Sequence, residues 1–238
     1  MLVHTLGTDH RMWDPVIDRL ARERDVIAVD MPGFGGSPPL DGGAPAPAEA
    51  LAAAIARFVR DELRVERPHV AGNSLGGWVA LELGLQGAAR TATAIAPAGL
   101  WRGGLAPKRS VARGLARAAL PALPLLMAVP GGRRAALMST TAHPERIPPA
   151  AARRLVRAYA LAPGFEAASD AMRAGSFRDL ARIPVPVTLV WPELDRLVRR
   201  PDHLPPQVHE IALPGAGHMP TWDDPDAVAA ALLEGSSR

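Results

Sequence analysis

Between Pro68 and Val79 the chain reads Pro-His-Val-Ala-Gly-Asn-Ser-Leu-Gly-Gly-Trp-Val, and this stretch constrains the fold more than any other. A short apolar strand, His69 to Ala71, meets Gly72-Asn73-Ser74-Leu75-Gly76, and an apolar-periodic helix follows at once. A strand that turns this sharply into a helix puts the residue at the turn under backbone strain and stands its side chain clear of the main chain. Glycines at 72 and 76 suit such a turn, because a side chain at either place would strike the neighbouring strand or helix. Ser74 also sits at a helix N-terminus, where free N–H groups and the helix dipole favour negative charge. The simpler alternative is a glycine-rich turn with an incidental serine; the flanking strand and helix argue against it.

The rest of the chain alternates in the same way. Leu2 to Thr5 reads as a strand, Trp13 to Arg22 as a helix and Asp25 to Asp30 as a strand buried on both faces. Asp41 to Pro47 is a Gly/Pro/Ala linker, and Ala48 to Leu63 a strong amphipathic helix. After the Ser74 turn and its helix to about Leu85 comes a strand over Thr91 to Ala96. From Leu100 to Arg182 there is no strand pattern, only arginine-rich amphipathic helices broken at prolines. Strands return at Val185 to Trp191 and Gln207 to Leu213, and Pro225 to Leu233 is a terminal helix capped by Asp223 or Asp224. This alternation predicts an α/β fold: a doubly wound, mostly parallel sheet of about six strands with a helical insertion after the strand ending near Ala96. The expected division is a core of residues 1–99 and 183–238 with a cap, or lid, of residues 100–182. Ligand sites in open α/β sheets lie at the carboxyl ends of the strands, so the cap sits over the loops that follow Thr5, Asp30, Asn73, Ala96, Trp191 and Leu213.

Composition removes several classes of function. The chain of 238 residues has no cysteine, which excludes disulfides, zinc–thiolate sites and thiol nucleophiles. Nearly every base is arginine, yet the formal net charge is only +3 and aromatics are 4%, a weak footprint for nucleic acid. No signal peptide is evident, and the most apolar stretch, Leu115 to Val129, is too short and too interrupted by Arg117, Pro121 and Pro124 to span a bilayer. The expectation is a cytoplasmic protein with a small-molecule substrate and neither a nucleic-acid nor a membrane partner. His10, Asp9 and Asp30 are not expected to hold a metal; Asp30 more plausibly stabilises the loop Pro32 to Ser37. His143, His203 and His209 read as surface residues.

A serine hydroxyl is a poor nucleophile at neutral pH and needs an adjacent base, most often a histidine held in one tautomer by a carboxylate. Pro214-Gly215-Ala216-Gly217-His218-Met219-Pro220 follows the last strand and supplies His218. Trp191-Pro192-Glu193-Leu194-Asp195 follows the strand before it; Asp195 is the preferred carboxylate and Glu193 the reserve. Taken singly, His218 could be an ordinary loop histidine and Asp195 the cap of a short helix.

With these segments in view, the chain resembles serine hydrolases of the α/β-hydrolase fold over essentially its whole length. The matching segments include Val-Ile-Ala-Val-Asp-Met-Pro-Gly-Phe-Gly-Gly-Ser, Val-Ala-Gly-Asn-Ser-Leu-Gly-Gly-Trp and Pro-Gly-Ala-Gly-His-Met-Pro. The order Ser74, Asp195, His218 is the nucleophile–acid–base order of that fold. The resemblance implies a carboxylic-ester hydrolase without metal or organic cofactor, with Ser74, Asp195 and His218 as catalytic residues. It also implies an oxyanion hole made by the backbone N–H groups of Leu75 and Leu6, Gly7 being the reserve for Leu6. His4-Thr5-Leu6-Gly7 stands where the family usually has His-Gly, so Thr5 is a departure. Leu6-Gly7-Thr8-Asp9 with Met12-Trp13 is similar to the corresponding segment of 3-oxoadipate enol-lactone hydrolases. Alternatives within the fold are enol-lactone or carbon–carbon bond hydrolysis in aromatic catabolism, and acyl transfer. A slow-turnover ligand-binding protein is the alternative from another class. The apolar stretch Leu105 to Met138 with Trp101 suggests an apolar pocket. The family's usual first strand pair is missing from the pattern, which makes Asp25 to Asp30 an exposed sheet edge where a second copy could pair.

Overall fold

Parallel neighbours need crossover connections, and the chain supplies a helix for most of them. The computed structural model describes residues 1–40, 46–101, 103–105 and 111–238. Most of the expected linker, residues 41–45, and Lys108 lie outside the described residues. The strands are β1 (Leu2–Val3), β2 (Ala28–Val29), β3 (His69–Asn73), β4 (Thr91–Ile95), β5 (Val187–Pro192) and β6 (His209–Leu213). They form one sheet in the order β2-β1-β3-β4-β5-β6, with every adjacent pair parallel. The α/β class, the six parallel strands and the edge position of the strand within 25–30 are as predicted. That edge strand is shorter than its β-branched sequence suggested, with ladder pairing confined to Ala28 and Val29.

The strand order places the site. The chain moves outward from β1 to β2, then returns across β1 to β3 and continues to β6, so its direction of winding reverses between β1 and β3. At such a switch point the loops at the carboxyl ends splay to opposite faces and leave a crevice. The register pairs Val3 with Gly72. Residues leaving β1 from His4 onward therefore run beside Asn73, Ser74 and Leu75.

Helices cover both faces. On one, α2 (Ala48–Asp61) packs against α3 (Leu75–Leu85); on the other, α1 (Asp14–Leu20) packs against α9 (Pro225–Gly235). Alternate strand residues feed the two cores: Leu189 joins the cluster under α2 and α3, while Val190 joins the one under α1 and α9. This is the two-residue period of a strand buried on both sides. α3 is buried from Leu75 to Gly84, as its apolar residues on every side require. Fully burying one such Leu or Val contributes about 1.5–3 kcal/mol.

Local bonds set the helix starts, and that of α1 differs from expectation. Asp9 accepts a hydrogen bond from the Arg11 N–H at 2.9 Å and starts a 3₁₀ turn over His10–Trp13, so α1 begins at Asp14 with Pro15 in its first turn. The terminal helix α9 is capped by Asp224, whose carboxylate accepts the Ala227 N–H at 2.9 Å; Asp223 is engaged elsewhere. Asp195 is followed by no helix. Between β4 and β5 the described residues are all helical or irregular: α4 (Val111–Ala118), α5 (Leu123–Ala128), α6 (Pro130–Leu137), α7 (Pro149–Leu161) and α8 (Phe165–Ala174). Prolines start rather than break α5, α6 and α7, lying in first turns where a missing N–H costs nothing.

Candidate active site

Ser74 takes φ +56° and ψ −114°, a conformation that costs an L-residue on the order of 1–3 kcal/mol. Three backbone bonds hold it there. Its N–H donates to Ile95 O at 2.9 Å, and its carbonyl accepts from Trp78 N and Ala98 N, both at 3.0 Å. The flanking glycines have steric causes: a Cβ on Gly72 would collide with the Gly76 carbonyl, and one on Gly76 with the carbonyls of Val3 and His4. Close approach of β1 to this turn runs the loop after β1 beside Leu75.

Leu75 is the first residue of α3, so its N–H has no acceptor within the helix. On the other side, Thr8 N–H bonds to Thr5 O at 3.2 Å and closes a turn in which Gly7 has φ +79°. Leu6 and Gly7 are the central residues of that turn, whose own hydrogen bond uses neither of their N–H groups. His4 anchors the loop from beneath. Its Nδ1 lies 2.8 Å from Thr5 O as donor and its Nε2 accepts the Met31 N–H at 2.9 Å. That pairing requires the neutral ring, and burial lowers the His4 pKa accordingly. The Thr5 side chain is itself buried, and its backbone N–H reaches Met12 Sδ at 3.2 Å. Met12 and Trp13 are core residues with no exposed surface, so their resemblance to enol-lactone hydrolases concerns packing rather than the site.

His218 Nδ1 lies 2.7 Å from Asp195 Oδ2, both side chains only 4% exposed. The other Asp195 oxygen accepts the N–H groups of Leu197 at 2.7 Å and Val198 at 3.0 Å, which fixes the carboxylate. The same carboxylate thus holds the His218 ring and two N–H groups of the following loop, and it caps no helix. Glu193, the reserve acid, is exposed and takes only the Gly215 N–H at 3.3 Å. With Nδ1 on Asp195, the imidazole presents Nε2 as its free edge.

Two residues that the sequence pattern did not single out bring these loops together. Asn73 Nδ2 donates to His218 O at 3.0 Å and to Ile95 O at 3.1 Å, tying the serine turn directly to the histidine loop. Asp223 accepts three backbone N–H groups: Gly217 at 2.8 Å, Ala142 at 2.9 Å and His143 at 2.8 Å. It joins the histidine loop to the helical block, and Met219 N–H adds a bond to Thr140 O at 2.6 Å. Asn73 occupies the unspecified position of G-x-S-x-G, and Asp223 resembles a helix cap in sequence, so neither carried a signal of this role.

Asp30 accepts the N–H groups of His10 at 2.7 Å and Gly36 at 2.9 Å, and holds His10 Nδ1 at 2.9 Å. It stabilises the loop after β2, as expected, and backbone and side-chain bonds hold its pKa down despite opposing burial. Among the described residues no group of three or more His, Asp or Glu could hold a metal ion. His203 is exposed, whereas His143 and His209 are half-buried; His209 Nε2 lies 2.6 Å from Glu234.

Fold and site together define a class, enzymes that carry out hydrolysis at the carboxyl edge of an open parallel sheet. The chain belongs to the alpha/beta hydrolase family, whose model matches residues 1–231, and it is a hydrolase of that family. It is 31% identical over 182 residues to epoxide hydrolase EphH of Mycobacterium tuberculosis, covering 71% of this chain and 85% of that protein. It is 34% identical over 87 residues to 3-oxoadipate enol-lactonase 1 of Acinetobacter baylyi, which covers 37% of this chain and 31% of the relative. The solved enol-lactonase of Burkholderia xenovorans superposes with a TM-score of 0.75 at 19% identity, covering 100% of this chain and 91% of that one, a likeness of fold.

Proposed function

We propose that this hydrolase cleaves a carboxylic ester, lactone or thioester through an acyl-enzyme on Ser74, with residues 100–182 acting as a lid. The observation that carries this reading is Ser74 on its strained turn, tied through Asn73 to the loop whose histidine rests on Asp195. His218 Nε2 takes the Ser74 proton as Oγ adds to the carbonyl, and Asp195 stabilises the resulting imidazolium. The negative oxygen of the tetrahedral intermediate is met by the N–H groups of Leu75 and Leu6, with the dipole of α3 behind Leu75. His218 then gives its proton to the leaving oxygen. Water, deprotonated by His218, attacks the acyl group, and the proton returns to Ser74 as the acid leaves. Each step keeps the proton count closed with no further reactant than water.

The similarity to an epoxide hydrolase is tested by the same atom. An epoxide opened by a serine oxygen leaves an ether, which water cannot cleave by acyl chemistry, whereas an ester or lactone leaves an ester that His218 can hydrolyse. Ser74 therefore favours acyl substrates. Enol lactones are a subset of these, and a relative and a fold neighbour bearing that name make them the first ring substrates to try.

The experiment is steady-state turnover of short p-nitrophenyl esters, an enol lactone, a ring-cleavage dienoate and an aryl epoxide by wild type, Ser74→Ala and Asp195→Asn. Acyl substrates should turn over repeatedly, and Ser74→Ala should cut kcat at least ~10³-fold. Epoxide turnover that survives in Ser74→Ala would defeat the proposal. A single labelling event with tight binding would instead favour a ligand-binding protein.

A further inference from the structure

The chain enters and leaves the helical block through two arms, residues 96–101 after β4 and 175–177 after α8. Both arms close on one side chain of α3, the buried indole of Trp78. A Cβ on Gly99 would come within 2.5 Å of its Cε3 and one on Gly175 within 2.9 Å of its Cη2, so each arm lays bare backbone against the ring. Trp101 of the outgoing arm meets the same ring edge-to-face, with 6.2 Å between centroids and 87° between planes. The arms also bond to each other. Phe177 N–H donates to Gly99 O and Trp101 Nε1 to Gly175 O, both at 2.8 Å. The indole is itself held in one orientation, because its Nε1 donates to Glu82 Oε1 at 3.0 Å and Glu82 is equally buried.

The outgoing arm is strained. Ala96 takes φ +43° and Gly99 φ +89°, and a non-glycine residue in that region persists only where its surroundings hold it. Between the two, Ala98 N–H donates to Ser74 O at 3.0 Å, the same oxygen that accepts the Trp78 N–H at 3.0 Å. The φ of +56° at Ser74 therefore leans on one bond from the Trp78 main chain and one from an arm that the Trp78 side chain braces.

We propose that Trp78 is a positioning residue: its indole braces both arms of the helical block, and through Ala98 that brace holds the Ser74 turn in its working conformation. The seating of the block and the posture of Ser74 are then one mechanical unit. The effect on reactivity rests on Ser74 being the nucleophile, whereas the brace itself is read without any chemistry.

Gly175 supplies the sharpest probe. Its φ of −91° suits any L-residue, so alanine there adds a methyl against the outer ring of Trp78 without straining the backbone. Phenylalanine at position 78 lacks that outer ring and makes room for the methyl. The test compares full-chain wild type, Gly175→Ala, Trp78→Phe and the double variant in two ways: amide hydrogen exchange by NMR, and the rate at which a fluorophosphonate labels Ser74. Amides of β6, at the far edge of the sheet, report global stability. In each single variant the Ala98 amide should exchange at least ~10-fold faster, beyond any change in β6. Labelling should slow at least ~10-fold, as expected when a nucleophile is displaced by a fraction of an ångström. The double variant should recover part of both, because the methyl takes up space that the indole vacated. Ala98 exchange that merely tracks β6, or a Gly175→Ala effect of the same size in both backgrounds, overturns the brace. Faster Ala98 exchange with labelling at the wild-type rate overturns its link to Ser74. A wild type whose Ser74 takes no label contradicts the acyl-enzyme reading instead, and Ala98 exchange still decides the brace.

Discussion

At the scale of single residues, burial sets several ionisation states away from the surface norm. Glu82 is 4% exposed in the middle of α3. Desolvation raises its pKa to about 7, against the opposing hydrogen bond that Trp78 Nε1 donates at 3.0 Å. The folded protein thus holds a proton on Glu82 at pH values where the unfolded chain has released it. Stability from this group is full below the unfolded carboxylate range and is lost as pH rises toward and through about 7. Wild type should lose up to about 3 kcal/mol between pH 5 and 8 from this one residue. In Glu82→Gln that component disappears, so urea midpoints measured across the range should flatten relative to wild type. An unchanged slope would show that Glu82 is charged in the fold. Other residues were legible directly: Gly72, Ser74 and Gly76 announce a steric and chemical requirement through their spacing. Asn73 was not, because an amide that bonds two distant carbonyls has no local signature.

Among elements, neighbouring aspartates divide their work in a way that sequence pattern left open. Asp224 caps α9, and Asp223 gathers N–H groups from the histidine loop and the helical block. Asp224→Ala should cost about 1 kcal/mol in denaturant unfolding and leave turnover near wild type. Asp223→Ala strands three donors, should cost about 2 kcal/mol or more, and should also slow modification of Ser74 by a fluorophosphonate, because the loop carrying His218 loses its tether. If the two variants label at the same rate, Asp223 serves stability alone. Helices with clear apolar periods and strands with continuous β-branched runs were placed within a few residues. The ends moved where caps and tertiary pairing decide them, as at Asp9 and β2. The orientation of α4 was hidden for a different reason: an amphipathic pattern shows that a helix has two faces but not which faces water. That choice is made by Glu166, Phe165 and the carbonyls of Tyr159 and Ala162, which Arg113 finds in the fold.

For the molecule as a whole, function follows from where the winding of the sheet reverses. The winding reverses between β1 and β3, and the register places the turn after β1 beside Ser74. Residues 74, 195 and 218 each follow a strand at the same end of one parallel sheet, and His218 bonds to Asp195. This much was readable in sequence, since alternating strands and helices predict parallel order and the loops follow. Substrate was not readable, because it depends on three-dimensional shape rather than on any local pattern of residues. The central claim is covalent, and mass spectrometry tests it most directly. Trypsin releases residues 65–90 as one peptide, as Arg67 precedes Pro68, and Ser74 is its only hydroxyl-bearing residue. The protein quenched during turnover of a p-nitrophenyl ester should carry the acyl group on that peptide and lose it on further incubation with water. Steady ester hydrolysis with residues 65–90 never modified, and the acyl group found elsewhere or nowhere, would contradict the account.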